Sequence, residues 1–251
     1  MELGLAGRRA AVAAASQGLG RATAAALAAE GVQVAMCSRS RERIEAAAAD
    51  IAGAVPIVAD VSTEAGAAAF VQQAAGALGG VDILVANGGG PPAGTFASTD
   101  LAAYQAAIQQ NCLAVIAMCA EAVPAMQAQQ WGRVLAITSV AVRQPIPTLI
   151  LSNTARAGLT GFLKTLAGEV ARDGVTVNSL QPGTHDTERN RALRAARAGI
   201  VPDEAAPVAG HLAIGQPDDF GRIAAFLCSD AAKFVNGAAL HVDGGAFAGL
   251  Q

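Results

Sequence analysis

The densest chemical signal in the chain is a run of small residues, Ala13-Ala14-Ala15-Ser16-Gln17-Gly18-Leu19-Gly20-Arg21, opening an alanine-rich stretch. Gly18 and Gly20 carry no Cβ, so the backbone there can approach a pyrophosphate closely. A helix starting at that turn adds free N–H groups and the positive end of its dipole. A Gly-x-Gly alone is often only a tight turn, but two further segments strengthen it. Asp60-Val61 offers a carboxylate that can accept from an adenine amine, and the glycines of Asn87-Gly88-Gly89-Gly90 let a ligand pass against the backbone. The chemistry suggested is the holding of a nucleotide.

Such turns need elements that bring them together. Short, unalternated apolar runs predict strands at 9–15, 32–38, 54–60, 81–86, 132–138, 174–180 and 238–242, as expected for strands buried on both faces of a parallel sheet. Between them, stretches at 19–30, 41–52, 64–78, 100–129, 153–171 and 218–229 predict helices. Ser62 or Thr63 and Asp218 suit helix starts, with Pro217 at or just before a first turn. The alternation predicts an α/β fold: a doubly wound, Rossmann-like, seven-stranded parallel sheet flanked by helices. No linker or repeat divides residues 1–251, so a single domain is expected. In such sheets ligands sit beyond the carboxyl ends of the strands. Segment 183–216, rich in Arg, Pro and Gly, follows one such end and is a candidate substrate lid.

Composition narrows the function classes. Of 251 residues, 53% are hydrophobic and 15% charged, with a net charge of −3, which excludes disorder. A pI near 5.6 argues against nucleic-acid binding through a basic field. Cys37, Cys112, Cys119 and Cys228 form no CxxC pair and no Cys/His cluster, so neither a metal site nor a disulfide framework is expected. They read as buried thiols in a reducing compartment. The apolar run Cys112–Ala120 is too short to span a bilayer, and Ala10–Ala15 is too short for an export signal. A cytoplasmic protein without a membrane partner is the expectation.

On these motifs the chain resembles the short-chain dehydrogenase/reductase family over essentially its whole length. The family's Thr-Gly-x-x-x-Gly-x-Gly falls on Ala13 to Gly20, and its Asn-Asn-Ala-Gly on Ala86-Asn87-Gly88-Gly89. Its helix asparagine corresponds to Asn111 and its catalytic serine to Ser139. Pro182-Gly183 matches its segment beside the nicotinamide, and Val242-Asp243-Gly244-Gly245 its C-terminal signature. The resemblance implies cofactor contacts from Ser16, Gly18, Leu19, Gly20, Ser38, Arg39, Asp60, Val61, Asn87, Gly88, Arg156, Pro182 and Gly183.

The end of the second strand bears on cofactor choice. An NAD reader places an acid there for the ribose 2′-OH. This chain has Ser38, followed by Arg39 and Arg41, and Arg21 near the glycine turn. Hydroxyl and guanidinium suit a 2′-phosphate, so NADP(H) is favoured over NAD(H).

The family's catalytic pattern breaks at its acid, a tyrosine four residues before a lysine. The tyrosine position is Ser152 and the lysine position Arg156. The single tyrosine is Tyr104, and the lysines are Lys164 and Lys233, so no realignment restores the pair. Ser139, Asn111, Ser152 and Arg156 are therefore the catalytic candidates. His185 is a candidate substitute acid, weighed against a loop histidine bonded to backbone; His211 is a weaker one, and His241 reads as structural.

The resemblance, closest to bacterial 3-oxoacyl-acyl-carrier-protein reductases, implies an oxidoreductase on a small-molecule or acyl-carrier-bound carbonyl, assembled as a homotetramer. A dinucleotide-binding protein without efficient turnover is the alternative. Non-redox chemistry such as dehydration is a third.

Overall fold

The structure, a computed structural model, describes residues 2–197 and 214–250. Strands β1 (Arg9–Val12), β2 (Gln33–Ser38), β3 (Val55–Val58), β4 (Ile83–Ala86), β5 (Gly132–Ile137), β6 (Val175–Pro182) and β7 (Ala239–Val242) form one sheet in the order β3-β2-β1-β4-β5-β6-β7. All pairings are parallel. The chain winds outward from β1 to β3, then returns to lay β4 beside β1, making the doubly wound topology expected from the alternation.

Helices cover both faces. Helices α1 (Gly18–Ala29), α2 (Arg41–Ala49) and α8 (Pro217–Leu227) bury Leu27, Ile44 and Phe220 against one face. On the other, α3 (Glu64–Leu78), α5 (Ala114–Ala128) and α6 (Ile150–Val170) bury Phe70, Met118, Leu159 and Leu163. Strand residues serve both cores in alternation: Ala10, Val12, Val34 and Met36 join the first, Ala11, Ala35 and Cys37 the second. Helix starts carry their caps, with Ser40 accepting from Arg43 N and Thr63 from Gly66 N.

Most boundaries shift by one to three residues from the sequence expectation, and three of the differences bear on the site. Strand β1 ends at Val12 rather than residue 15, because Ala14 sits at φ +48°. Ala13 and Ala15 still donate to the Val85 and Cys37 carbonyls, so the chain kinks without losing its ladder bonds. The expected helix 100–129 is α4 (Leu101–Ile108) joined to α5 through a wide π turn, Gln109–Leu113, which carries Asn111. Helix α6 begins at Ile150, three residues early, and so takes Ser152 into its first turn.

The continuous helix Leu101–Ala128 is long and apolar enough to cross a membrane by length and composition. Here its residues Val115, Met118, Cys119, Ala122 and Met126 are core. Of the candidate lid, residues 183–197 and 214–216 are described, including α7 (Glu188–Arg197). The middle of that segment and His211 lie outside the described residues.

Candidate functional site

A cavity of about 1220 Å³ runs along the carboxyl ends of the strands, across the switch between β1 and β4. Its wall includes Ser16, Gly18, Leu19, Gly20, Ser38, Arg39, Asp60, Val61, Asn87, Gly88, Ser139, Ser152, Arg156, Pro182 and Gly183. Every residue expected to contact a cofactor is therefore gathered on one surface. The space exceeds the usual range of small-ligand pockets, which leaves room for a dinucleotide and a second molecule.

At one end the glycine turn leads into α1. Gly18 has φ +59°, and a Cβ on Gly20 would lie 2.6 Å from the Ala14 carbonyl oxygen and 2.7 Å from the Asn87 amide. That amide donates to the Ala14 carbonyl at 3.1 Å, tying the end of β4 to the turn. Gln17, the N-cap of α1, makes no side-chain cap, so the first-turn N–H groups remain for a ligand. Beside this turn, Arg39 is exposed and forms no ion pair among the described residues. Arg43 also lines the cavity, 3.5 Å from Gln17 Oε1, a contributor that the sequence reading missed. Arg21 is a correction: it pairs with Asp50 at 2.7 Å, and Arg41 with Glu45, so neither faces the cavity.

At the other end, Ser139 follows β5 and its Oγ accepts from Ala141 N at 3.1 Å. Its own proton is thereby left to donate into the cavity. Ser152 and Arg156, one turn apart on α6, are each 8% exposed. Arg156 donates to the Ile137 carbonyl at 2.9 Å. Burial, and then the neighbouring Arg189, push its guanidinium pKa down to about 10. Arg189, on α7, lines the same wall and donates to the Pro91 carbonyl; the arginine content of 188–197 was its only sequence signal.

Other candidates fall elsewhere. Asn111 is buried behind the wall; its Nδ2 donates to Ala107 O at 3.3 Å and its Oδ1 has no partner, the kind of acceptor an ordered water satisfies. Tyr104 packs with Ala107, Leu151 and Ala155, and Lys164 donates to the Gly237 carbonyl, so neither replaces the missing pair. His185 is 3% exposed, edge-on to Phe220 at 5.4 Å, with Nδ1 3.3 Å from the Gly183 carbonyl. It belongs to the packing beneath the cavity and not to its wall, which removes it as the substitute acid.

A doubly wound sheet with a polar cleft at its switch point is the architecture of dinucleotide-dependent α/β proteins. Within that class the chain belongs to the short-chain dehydrogenase/reductase family. The family model described as enoyl-(acyl carrier protein) reductase matches residues 13–246. The chain is 34% identical to the 3-oxoacyl-[acyl-carrier-protein] reductase FabG of Escherichia coli, over 96% of this chain and 98% of that protein. It is 30% identical to FabG of Aquifex aeolicus, over 98% and 100%. Among solved structures, YwfH, an NADPH-dependent reductase involved in bacilysin biosynthesis, superposes with a TM-score of 0.91 at 25% identity, covering 97% of this chain and 99% of that one. L-sorbose reductase from Gluconobacter frateurii, complexed with NADPH and L-sorbose, gives 0.91 at 28% identity over the whole of both chains.

The buried histidine yields a pH prediction. Burial, outweighing the Gly183 carbonyl and nearby carboxylates, holds the His185 pKa below its ordinary 6.5. The unfolded chain therefore takes up the proton first, and the stabilisation is full above about pH 6.5 and lost as pH falls. His185→Ala should flatten the decline in urea stability between about pH 6.5 and pH 5, with His241 retaining part of the slope. An unchanged slope would contradict this placement.

Proposed function

We propose that this chain is an NADP(H)-dependent oxidoreductase acting on a carbonyl/alcohol pair, related in type to the 3-oxoacyl-acyl-carrier-protein reductases. The observation that carries the reading is the continuity of the cavity, from the uncapped start of α1 to Ser139, Ser152 and Arg156. The residues present fit the cofactor: the Gly18–Gly20 turn cradles a pyrophosphate, Asp60 faces an adenine, and Ser38, Arg39 and Arg43 suit a 2′-phosphate. The NADPH-dependent reductases among its structural neighbours support the same choice. NAD(H) is the alternative.

The bound dinucleotide would supply the hydride. Ser139 donates to the carbonyl oxygen and polarises it, while Arg156 stabilises negative charge growing there. Ser152 is a much weaker acid than a tuned tyrosine, and Arg156 retains its proton near neutral pH. The chemical step therefore runs without the family's acid, a loss that typically costs about 10²–10⁴-fold. The same observation favours the second reading, a dinucleotide-binding protein without efficient turnover. Fluorescence enhancement of NADPH without oxidation across a carbonyl panel would select it.

The proposal includes a cytoplasmic homotetramer. Exposed Leu101, Ile108 and Leu113 on α4 and its π turn, and Phe234 and Leu240 near β7, supply two separate apolar faces for contacts between copies. Light scattering should show a particle about four times the 24.9 kDa chain, and a monomer at micromolar concentration would refute it. For the cofactor, Arg39→Asp should shift the ratio of NADPH to NADH affinity toward NADH by about tenfold or more, read by fluorescence titration. Tighter NADH than NADPH binding by the unaltered protein would contradict the assignment.

A further inference from the structure

Two guanidinium groups line the cavity near each other, that of Arg156 buried and that of Arg189 on an exposed residue. Arg156, 8% exposed, is fixed by α6 and has the neutral Ile137 carbonyl as its acceptor. Arg189 reaches in from α7 to the neutral Pro91 carbonyl. Among the described residues no carboxylate pairs with either. They act on each other as like charges. The cavity's own acids are engaged elsewhere: Asp60, after the edge strand β3, accepts from Ser62 N at 3.0 Å, and Glu188 bears on Arg191.

A buried cation left unpaired is costly, and the cost falls when an anion with matching acceptors arrives. At Arg156 the proposed dinucleotide does not fill that role. Its pyrophosphate belongs at the start of α1, after β1, whereas Arg156 is tied to the end of β5, two strands away and so about 10 Å across the sheet. Ribose hydroxyls are neutral and leave the charge standing. Guanidinium forks match planar carboxylates, and Arg156 stands one helical turn from Ser152.

We infer that the substrate carries a free carboxylate close to its reacting carbonyl, held by Arg156 and Arg189 while Ser139 and Ser152 face the carbonyl oxygen. The substrate class is then a 2- or 3-oxo acid rather than a neutral thioester. Naming the carbonyl rests on the oxidoreductase reading; the anion site stands on the two arginines. In the reduction, the carbonyl π bond breaks as carbon gains a hydride from the dinucleotide and oxygen gains a proton from solvent. The products are the hydroxy acid and oxidised dinucleotide, with the carboxylate unchanged.

The test is calorimetric titration of the full chain, with and without NADPH, using 2-oxobutanoate, 3-oxobutanoate, their ethyl esters and inorganic phosphate. At least one acid should bind tenfold or more tighter than its ester. Arg189→Gln, on an exposed helix, should lower that affinity at least fivefold and weaken ester binding less, so that the preference for acid over ester shrinks. Arg156→Lys should keep part of the preference, which guards against misfolding of a charge-removing variant. Equal binding of acid and ester, no binding of either, or an Arg189→Gln variant with undiminished affinity would overturn the inference. Phosphate binding tighter than both acids would overturn it in favour of a phosphate-bearing substrate. Acid preference without NADPH binding would remove only the oxidoreductase reading, whereas NADPH binding without acid preference would remove only this one.

Discussion

A parallel sheet whose strand order reverses between β1 and β4 cannot be covered by helices at the reversal. Helix α1 leaves β1 for one face, and the α4–α5 connection leaves β4 for the other. The carboxyl ends between them stay open, and a cleft follows from topology alone. Residues at or just beyond the carboxyl ends of β1, β2, β3, β4, β5 and β6 line one cavity because of that constraint. The Asn87 amide, bridging from the end of β4 to the Ala14 carbonyl after β1, locks the two sides of the opening together.

The cost of this arrangement is visible at Ala14. A left-handed conformation disfavours any residue with a Cβ, by about 1–2 kcal/mol. The chain nevertheless places alanine at φ +48°, where the family pattern has glycine. Neighbouring bonds from Ala13 to Val85 and from Ala15 to Cys37 hold it there. The extra methyl narrows the approach to the glycine turn. At the opposite end, arginine replaces lysine and serine replaces tyrosine, so a tunable acid gives way to a fixed buried charge. Both ends of the cleft thus depart from the family pattern on a fold that is otherwise kept.

The sheet was legible because buried parallel strands write themselves as short apolar runs, and all seven were readable. Gly18, Gly20, Asn87, Ser139, Ser152, Arg156 and Gly183 were legible as motif positions, and they do share one wall. Side-chain direction was not legible. Arg41 and Arg43 are two residues apart on α2, so at 100° per residue they point far apart, and only the packing of the helix decides which faces the cavity. Arg21 looked close in sequence yet turns to Asp50. His185 follows Gly183 by two residues yet is drawn under the strand ends by Phe220. The π turn at Asn111 carries no local sequence signal.

The central claim is that the cleft is a reductase site lacking its usual acid, so restoring the acid should restore speed. The direct measurement is the single-turnover rate of NADPH oxidation, with a carbonyl substrate, in Ser152→Tyr/Arg156→Lys against the unaltered protein. The account predicts a rise of about 10²-fold or more, since a tyrosine and a cation one turn apart rebuild a tuned proton donor. A folded double variant that binds NADPH as well as the unaltered protein but oxidises it no faster would contradict the account.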